Sequence, residues 1–416
     1  MKSIKLIPFL VLLCLASTLS LAQVDSLDIK IGQMILIGVP GTDVDPLALK
    51  EITEGKAGSI ILFEKNISQK DSYASLKKMT WTYQSAAPIP LFISIDEEGG
   101  KVNRLKSKYG FPKSISAKAM SRSMDSVRYY SETTATTLSA LGINVNFAPV
   151  VDLGTNPNNP VIARVERSFS ASADTVTLFA KEFVKAHRKV GVVTVLKHFP
   201  GHGSSKDDTH YGIADVTNTW ESKELNPYKS LLDSGYVDAI MTAHIVNRKL
   251  DGASLPGTLS KRILDSLLRK RMGFDGVVFS DDMQMHAITK HFGLEEAIRL
   301  SVNAGVDILT FSNNIQGSEE RTVDKVHSIM RKFVEEGIIP RSRIDESFER
   351  IMKLKRRMGM SQADYYRSEW RKTQLELTQY ELQNAALDSL LQLEKAKKAV
   401  MEPAEESSKR KKKKKG

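Results

Sequence analysis

The residues best able to do chemistry crowd into one stretch, Lys197-His198-Phe199-Pro200-Gly201-His202-Gly203-Ser204-Ser205-Lys206-Asp207-Asp208-Thr209-His210. Imidazoles and carboxylates together permit a metal site built from His198, His202, His210 and Asp208. Pro200, Gly201 and Gly203 oppose the helix that would set His198 and His202 on one face, which disfavours metal binding. Ser204 or Ser205 could serve a Ser-His-Asp hydrolase, but neither stands in a Gly-x-Ser-x-Gly elbow. The third reading is an Asp-x-His dyad, Asp208 with His210, on a loop. A carboxylate two residues away can orient the ring and raise its basicity, as acid/base catalysis requires. Taken alone, such a dyad is weak evidence, and a plain surface-loop histidine is the better reading of it.

Something must position these groups. Eight apolar runs recur along the chain: 34–39, 59–63, 91–96, 145–152, 193–199, 239–245, 276–282 and 307–312. They are mostly continuous rather than alternating, as strands buried on both faces are. Amphipathic segments such as 125–142 and 258–273 lie between them, and a long insertion separates the third run from the fourth. Eight strand-helix repeats predict a (β/α)8 barrel rather than a doubly wound open sheet, since no Gly-rich nucleotide loop is present. Polar residues end most runs: Asp96, Asp152, Lys197 with His198, His244, and Asp281 with Asp282. In a barrel these converge on the C-terminal face, where active sites form. Residues 343–359 read as a closing helix, with Asp345 capping its first turn.

The ends differ from this body. Lys2 and Lys5, an apolar run and the Ser20-Leu21-Ala22 site predict a signal peptide over 1–22, hence an exported protein, periplasmic or extracellular. The barrel then spans 23–359. Residues 360–401 read as a helical extension and 402–416 as a disordered basic tail. Cys14 is the only cysteine, so the body has no disulfide or thiolate metal site. The formal charge of +11 falls to +2 without Lys2, Lys5 and the seven basic residues of the tail. Basicity therefore gives no argument for nucleic-acid binding by the barrel. The tail's charge suits contact with an anionic envelope, and a solvated terminus is the plainer reading.

The stretch 197–210 resembles the K-H-F-P-G-H-G…D-S/T-H signature of bacterial β-N-acetylglucosaminidases of glycoside hydrolase family 3. Further segments are similar to that family in order: Ile95–Leu105 (IDEEGGKVNRL), Asn159–Ser170 (ending RSFS) and Leu255–Met285 (containing SDDM). The resemblance implies an exo-acting glycosidase that removes terminal β-linked N-acetylglucosamine from peptidoglycan or chitin-type fragments. It implies that Asp281 is the nucleophile, forming a covalent glycosyl-enzyme with retained configuration. His210 would be the acid/base and Asp208 would orient it; an ordinary histidine pKa near 6.5 suits both duties. Asp96, Arg104, Arg167, Lys197 and His198 fall on the family's sugar-binding positions. No cofactor or metal is implied, and the partners are N-acetylglucosamine oligosaccharides or muropeptides. Asp282, His202 and His244 read as structural, and Gly99 and Gly100 as a tight turn.

Two departures bear on the site. Val165 and Glu166 lengthen the RSFS region, so either Arg164 or Arg167 could reach sugar; Ser168-Phe169-Ser170 favours Arg167. Gln284 stands where a small residue is usual and is expected to reshape the pocket floor. Alternatives are a β-glucosidase or β-xylosidase, disfavoured by the Asp-Thr-His loop; a phosphorylase, whose anionic acceptor a histidine acid/base tolerates; and an inactive envelope sugar-binding protein.

Overall fold

Each apolar run forms a strand: β1 (Ile35–Gly38), β2 (Ser59–Leu62), β3 (Phe92–Ile95), β4 (Val145–Asn146), β5 (Val193–Phe199), β6 (Ala239–Thr242), β7 (Val277–Asp282) and β8 (Ile308–Phe311). The structure is a computed structural model and describes residues 26–209, 212–315 and 323–358. The leader, the C-terminal extension, the basic tail and His210 lie outside the described residues.

All eight strands are parallel, each beside its neighbour in sequence, and β8 pairs with β1 to close the barrel. Both faces are covered, so nearly every strand residue is buried and apolar runs are continuous. Phe92, Phe147 and Phe279 fill the interior, with ring centroids 6.2 Å (Phe92–Phe279) and 5.3 Å (Phe147–Phe279) apart. The interior is a packed core, which leaves only the ends of the barrel for ligands.

The fourth run is shorter as a strand than its sequence predicts. Only Val145 and Asn146 pair as β4. Pro149 has no N–H to give a ladder. Beyond it the chain holds to β5 through separate contacts, with Val151 N donating to Lys197 O at 2.9 Å.

The insertion after β3 contains the helix Met124–Ala140, which Ser123 caps by accepting from Ser126 N at 3.1 Å. Residues Arg262–Arg271 wind as a π-helix, with the wider i→i+5 bonding. The closing helix runs from Arg341 to Arg357. It begins earlier than expected, after Pro340, which puts Asp345 in the second turn. There Asp345 cannot cap; it accepts from Lys30 Nζ at 2.6 Å.

The closing helix seals the N-terminal face. The buried Asp307 carboxylate accepts from Arg343 at 2.8 Å and Ser347 at 2.7 Å on this helix, and from Arg269 at 2.6 Å. Lys355 is buried against Gln33 Oε1 (2.6 Å) and Gly58 O (3.0 Å). One end of the barrel is thus committed to stability and the other is open.

Two irregularities mark that open end. Between β5 and β6 the pairing jumps from Leu196–Ile240 to Phe199–Thr242. Between β7 and β8 it jumps from Phe279–Ile308 to Asp282–Thr310. Each gives β5 or β7 one extra residue, a bulge that re-aims side chains. Lys197 and His198 sit in the first, and Ser280 and Asp281 in the second.

Candidate active site

At the C-terminal face lies a cavity of about 310 Å³, at the small end of the roughly 300–1,000 Å³ range for ligand sites. Asp96, Arg104, Arg167, Lys197, His198 and Asp281 all line it. They come from five parts of the chain, and the barrel brings them to one rim. Asp208 is half-buried and does not line the cavity, but its neighbour Thr209 does.

Fixed charges alternate along one wall. Lys197 Nζ lies 2.6 Å from Asp96 Oδ1 and 2.6 Å from Glu98 Oε1. Arg104 reaches Asp96 at 3.4 Å and lies over the Phe63 ring, 5.4 Å from its centroid. Arg167 grips Glu98 with two bonds of 2.8 Å and donates to His198 Nε2 at 3.2 Å. A guanidinium can only donate, so that ring nitrogen accepts and the His198 proton sits on Nδ1. Nδ1 then donates to Asp152 Oδ2 at 2.7 Å.

Burial alone would raise these carboxyls. Lys197 and Arg104 outweigh it at Asp96 and hold that group below its usual range. Burial is likewise overcome at Glu98 by Arg167 and Lys197, and at Asp152 by His198. The wall therefore stays ionised, with each charge aimed by its neighbour. Such a preorganised row suits a ligand dense in hydroxyl groups, each needing a donor or acceptor in a set direction.

Asp281 and Asp282 have different surroundings. Asp281 is half-buried, and its Oδ1 accepts from Asp282 N at 2.8 Å. Asp282 is tied to the barrel wall. It accepts from Gln284 N (3.0 Å), Ser312 N (3.3 Å) and the Ser312 hydroxyl. Burial pushes its pKa up to about 6. His244 Nε2 donates to the Asp282 carbonyl at 2.9 Å, and its other nitrogen meets Thr258 Oγ1 at 2.7 Å. His244 is wholly buried and does not line the cavity, whereas Asp282 lines it beside Asp281.

Several placements refine the sequence reading. Arg167 lines the cavity and Arg164 is exposed. Gln284 does not line it; the side chain bonds Asn313 N at 2.7 Å and Asn313 Oδ1 at 3.1 Å, tying the chain beyond β7 to that beyond β8. His202 does line the cavity. Burial lowers its pKa to about 4, so the ring is neutral at ordinary pH.

Glu97 and Glu98 carry no site signal of their own in the sequence, and Asp152 shows there only as a polar residue at a strand end. Glu98 and Asp152 act on partners 46 to 99 positions away, which local spacing does not reveal. Glu97 turns back on its own loop, accepting from Arg104 N (2.9 Å) and Leu105 N (3.1 Å) and so placing Arg104. The turn between them needs glycine: Gly99 has φ +95°, and a Cβ there would meet Ile115 O at 2.2 Å.

Known proteins agree with this architecture. The family model for the glycosyl hydrolase family 3 N-terminal domain matches residues 26–354. A beta-hexosaminidase of Tolumonas auensis is 33% identical over 289 residues, covering 68% of this chain and 84% of its own. Beta-hexosaminidase A of Pseudoalteromonas piscicida is 32% identical over 344 residues, 77% of this chain but 57% of its own. Among solved structures, a family 3 beta-N-acetylglucosaminidase from a Paenibacillus species superposes with a TM-score of 0.72 at 34% identity, over 80% of this chain and 62% of that one. A beta-N-acetylhexosaminidase from Beutenbergia cavernae gives 0.70 at 26% identity, over 79% and 98%. The chain thus spans little more than half of some relatives and nearly all of others. Its parallel eight-stranded barrel, ordered motifs and matching relatives lead to one conclusion: the chain belongs to glycosyl hydrolase family 3, with residues 26–354 forming that family's N-terminal domain.

Proposed function

We propose that the protein is a retaining, exo-acting β-N-acetylglucosaminidase. The observation that carries this reading is the placement of Asp281. It lies in a bulge of β7 and shares one cavity with Asp96, Arg104, Arg167, Lys197 and His198. The names of the relatives, beta-hexosaminidase and beta-N-acetylglucosaminidase, support the same bond.

In this mechanism the wall of alternating charges holds the terminal sugar. The Asp281 carboxylate attacks the anomeric carbon while His210, oriented by Asp208, gives its proton to the departing oxygen. The glycosyl ester on Asp281 is then broken by water. His210 takes the water's proton, the ester oxygen returns to Asp281, and two inversions leave the configuration unchanged.

Peptidoglycan fragments are the preferred substrates in this proposal. Beside Arg104 and Phe63, Glu64 gathers Lys106, Lys108 (2.7 Å) and the Tyr109 hydroxyl (2.9 Å). Two lysines to one carboxylate leave positive charge near the cavity mouth, which suits a carboxylate-bearing aglycone better than neutral chitin. The leader-like residues 1–22 support export to the periplasm or beyond, and the basic tail supports contact with an anionic envelope. Cell fractionation tests the first of these and salt-dependent sedimentation with envelopes the second.

The activity test is release of an aryl alcohol from its N-acetyl-β-glucosaminide, by wild type, Asp281→Ala and His210→Ala. Both variants should lose turnover. Full activity of Asp281→Ala would overturn the assignment. Glycosyl phosphate as the main product in phosphate buffer would make the enzyme a phosphorylase.

A further inference from the structure

Glu224 is only 1% exposed and does not line the cavity, yet it grips the loop that the chemistry depends on. Its Oε2 accepts from Gly203 N at 2.9 Å. The fit is close on that side: Gly201 has φ +117°, and a Cβ there would come within 2.7 Å of Glu224 Cβ. Trp220 Nε1 donates to Pro200 O at 3.1 Å from the same segment.

The opposite side of the loop is held just as firmly. Asn159 Nδ2 donates to His202 O (2.7 Å) and Gly203 O (3.0 Å), and Asn156 Nδ2 to Ser205 O (2.7 Å). Asp152 Oδ1 accepts from His202 N at 2.7 Å. Residues 200–205 are therefore clamped between the 152–159 segment and the 220–224 segment. The chain that leaves this clamp reaches Asp208, Thr209 and His210 within five residues.

We propose that Glu224 is a positioning residue for acid/base catalysis, fixing the root of the loop that delivers Asp208 and His210. This rests on the reading of His210 given above. Burying a carboxyl without a second charge is costly, and burial raises the Glu224 pKa to about 7. A group kept under those conditions has a use that a small apolar residue would not serve. Glu224 bonds the backbone at Gly203 rather than the side chains of Asp96, Arg104, Arg167 or Lys197, so its loss should disturb proton transfer and leave sugar binding in place.

The test compares wild type, Glu224→Ala and Glu224→Gln on aryl N-acetyl-β-glucosaminides with good and poor leaving groups, with and without azide. Acid/base help is worth roughly 100- to 10,000-fold; partial misplacement should cost Glu224→Ala about tenfold to a hundredfold in kcat for the poor leaving group. The loss should shrink for the good one, KM should stay within about twofold, and azide should restore turnover with glycosyl azide as product. Glu224→Gln should keep most activity, because its amide oxygen can still accept from Gly203 N. If Glu224→Ala does not fold, Glu224→Asp, one methylene shorter, should show the same pattern. Unchanged kcat, or a loss equal for both leaving groups and indifferent to azide, overturns the proposal. His210→Ala run in parallel separates the two ideas. If it also lacks leaving-group dependence, the reading of His210 falls and the role of Glu224 with it; if it behaves as an acid/base variant, only the role of Glu224 is refuted.

Discussion

Replacing Glu98 with glutamine keeps the shape of the side chain and removes one charge from the buried wall. Glu98 is 6% exposed and faces Arg167 at 2.8 Å and Lys197 at 2.6 Å. Without it, three cations, Arg104, Arg167 and Lys197, share Asp96 and the Asp152–His198 pair. Breaking a buried ion pair by removing one partner costs about 3–5 kcal/mol. For a domain of roughly 330 residues, unfolding entropy of about 2.1 cal/mol/K per residue gives about 0.7 kcal/mol/K. The melting temperature of Glu98→Gln should therefore fall by about 4–7 °C in calorimetry. Hydrolysis should suffer too, with KM rising as Arg167 and Lys197 lose their common anchor. The double variant Glu98→Gln/Lys197→Met removes both charges and should be at least about 1 kcal/mol more stable than the sum of the single losses. A melting point within about 1 °C of wild type, or strict additivity in the double variant, would refute the account of the wall.

Other expectations follow from buried groups. His187 donates from Nδ1 to Phe183 O at 2.9 Å and accepts at Nε2 from Asn146 (3.1 Å), which in turn holds the Glu97 backbone. Burial lowers its pKa from 6.5 to about 4. The unfolded chain thus binds the proton first as pH falls, and stability is lost between about pH 6.5 and 4; lowering pH from 7 to 5 should cost about 2 kcal/mol through this group. Chemical denaturation of wild type and His187→Gln at both pH values measures it, and equal pH dependence in the two would contradict it. Gly99→Ala forces a Cβ onto Ile115 O at a φ of +95°. It should lower stability by about 1–3 kcal/mol and raise KM by shifting the segment that carries Arg104, read by melting and steady-state kinetics.

The barrel was legible because its strands are buried on both faces. Runs such as Ser59–Leu62 and Phe92–Ile95 need no alternation, and all eight appear where the pattern places them. The 145–152 run pairs over less of its length than its apolarity predicts, because Pro149 breaks the ladder in a stretch that stays apolar to Val151. Asp345 falls in the second turn rather than at the cap because the helix start is set by local turn geometry at Pro340, which composition does not resolve. At the site, residues at strand ends were visible, including Asp96, Lys197 and Asp281. Glu98 and Glu224 were not, because their meaning lies in contacts made only after folding. Glu98 meets Arg167 across 69 positions, and Glu224 meets Gly203 across 21.

The central claim is that Asp281 becomes covalently attached to sugar. Incubating the protein with a 5-fluoro N-acetylglucosaminide bearing a good leaving group should slow release of the glycosyl-enzyme enough to trap it. Peptide mass spectrometry should then find one added N-acetyl-fluoroglucosaminyl group on the peptide containing Asp281, and none in Asp281→Ala. A label on another residue, or turnover of the inhibitor with inverted product and no label at all, would contradict the account.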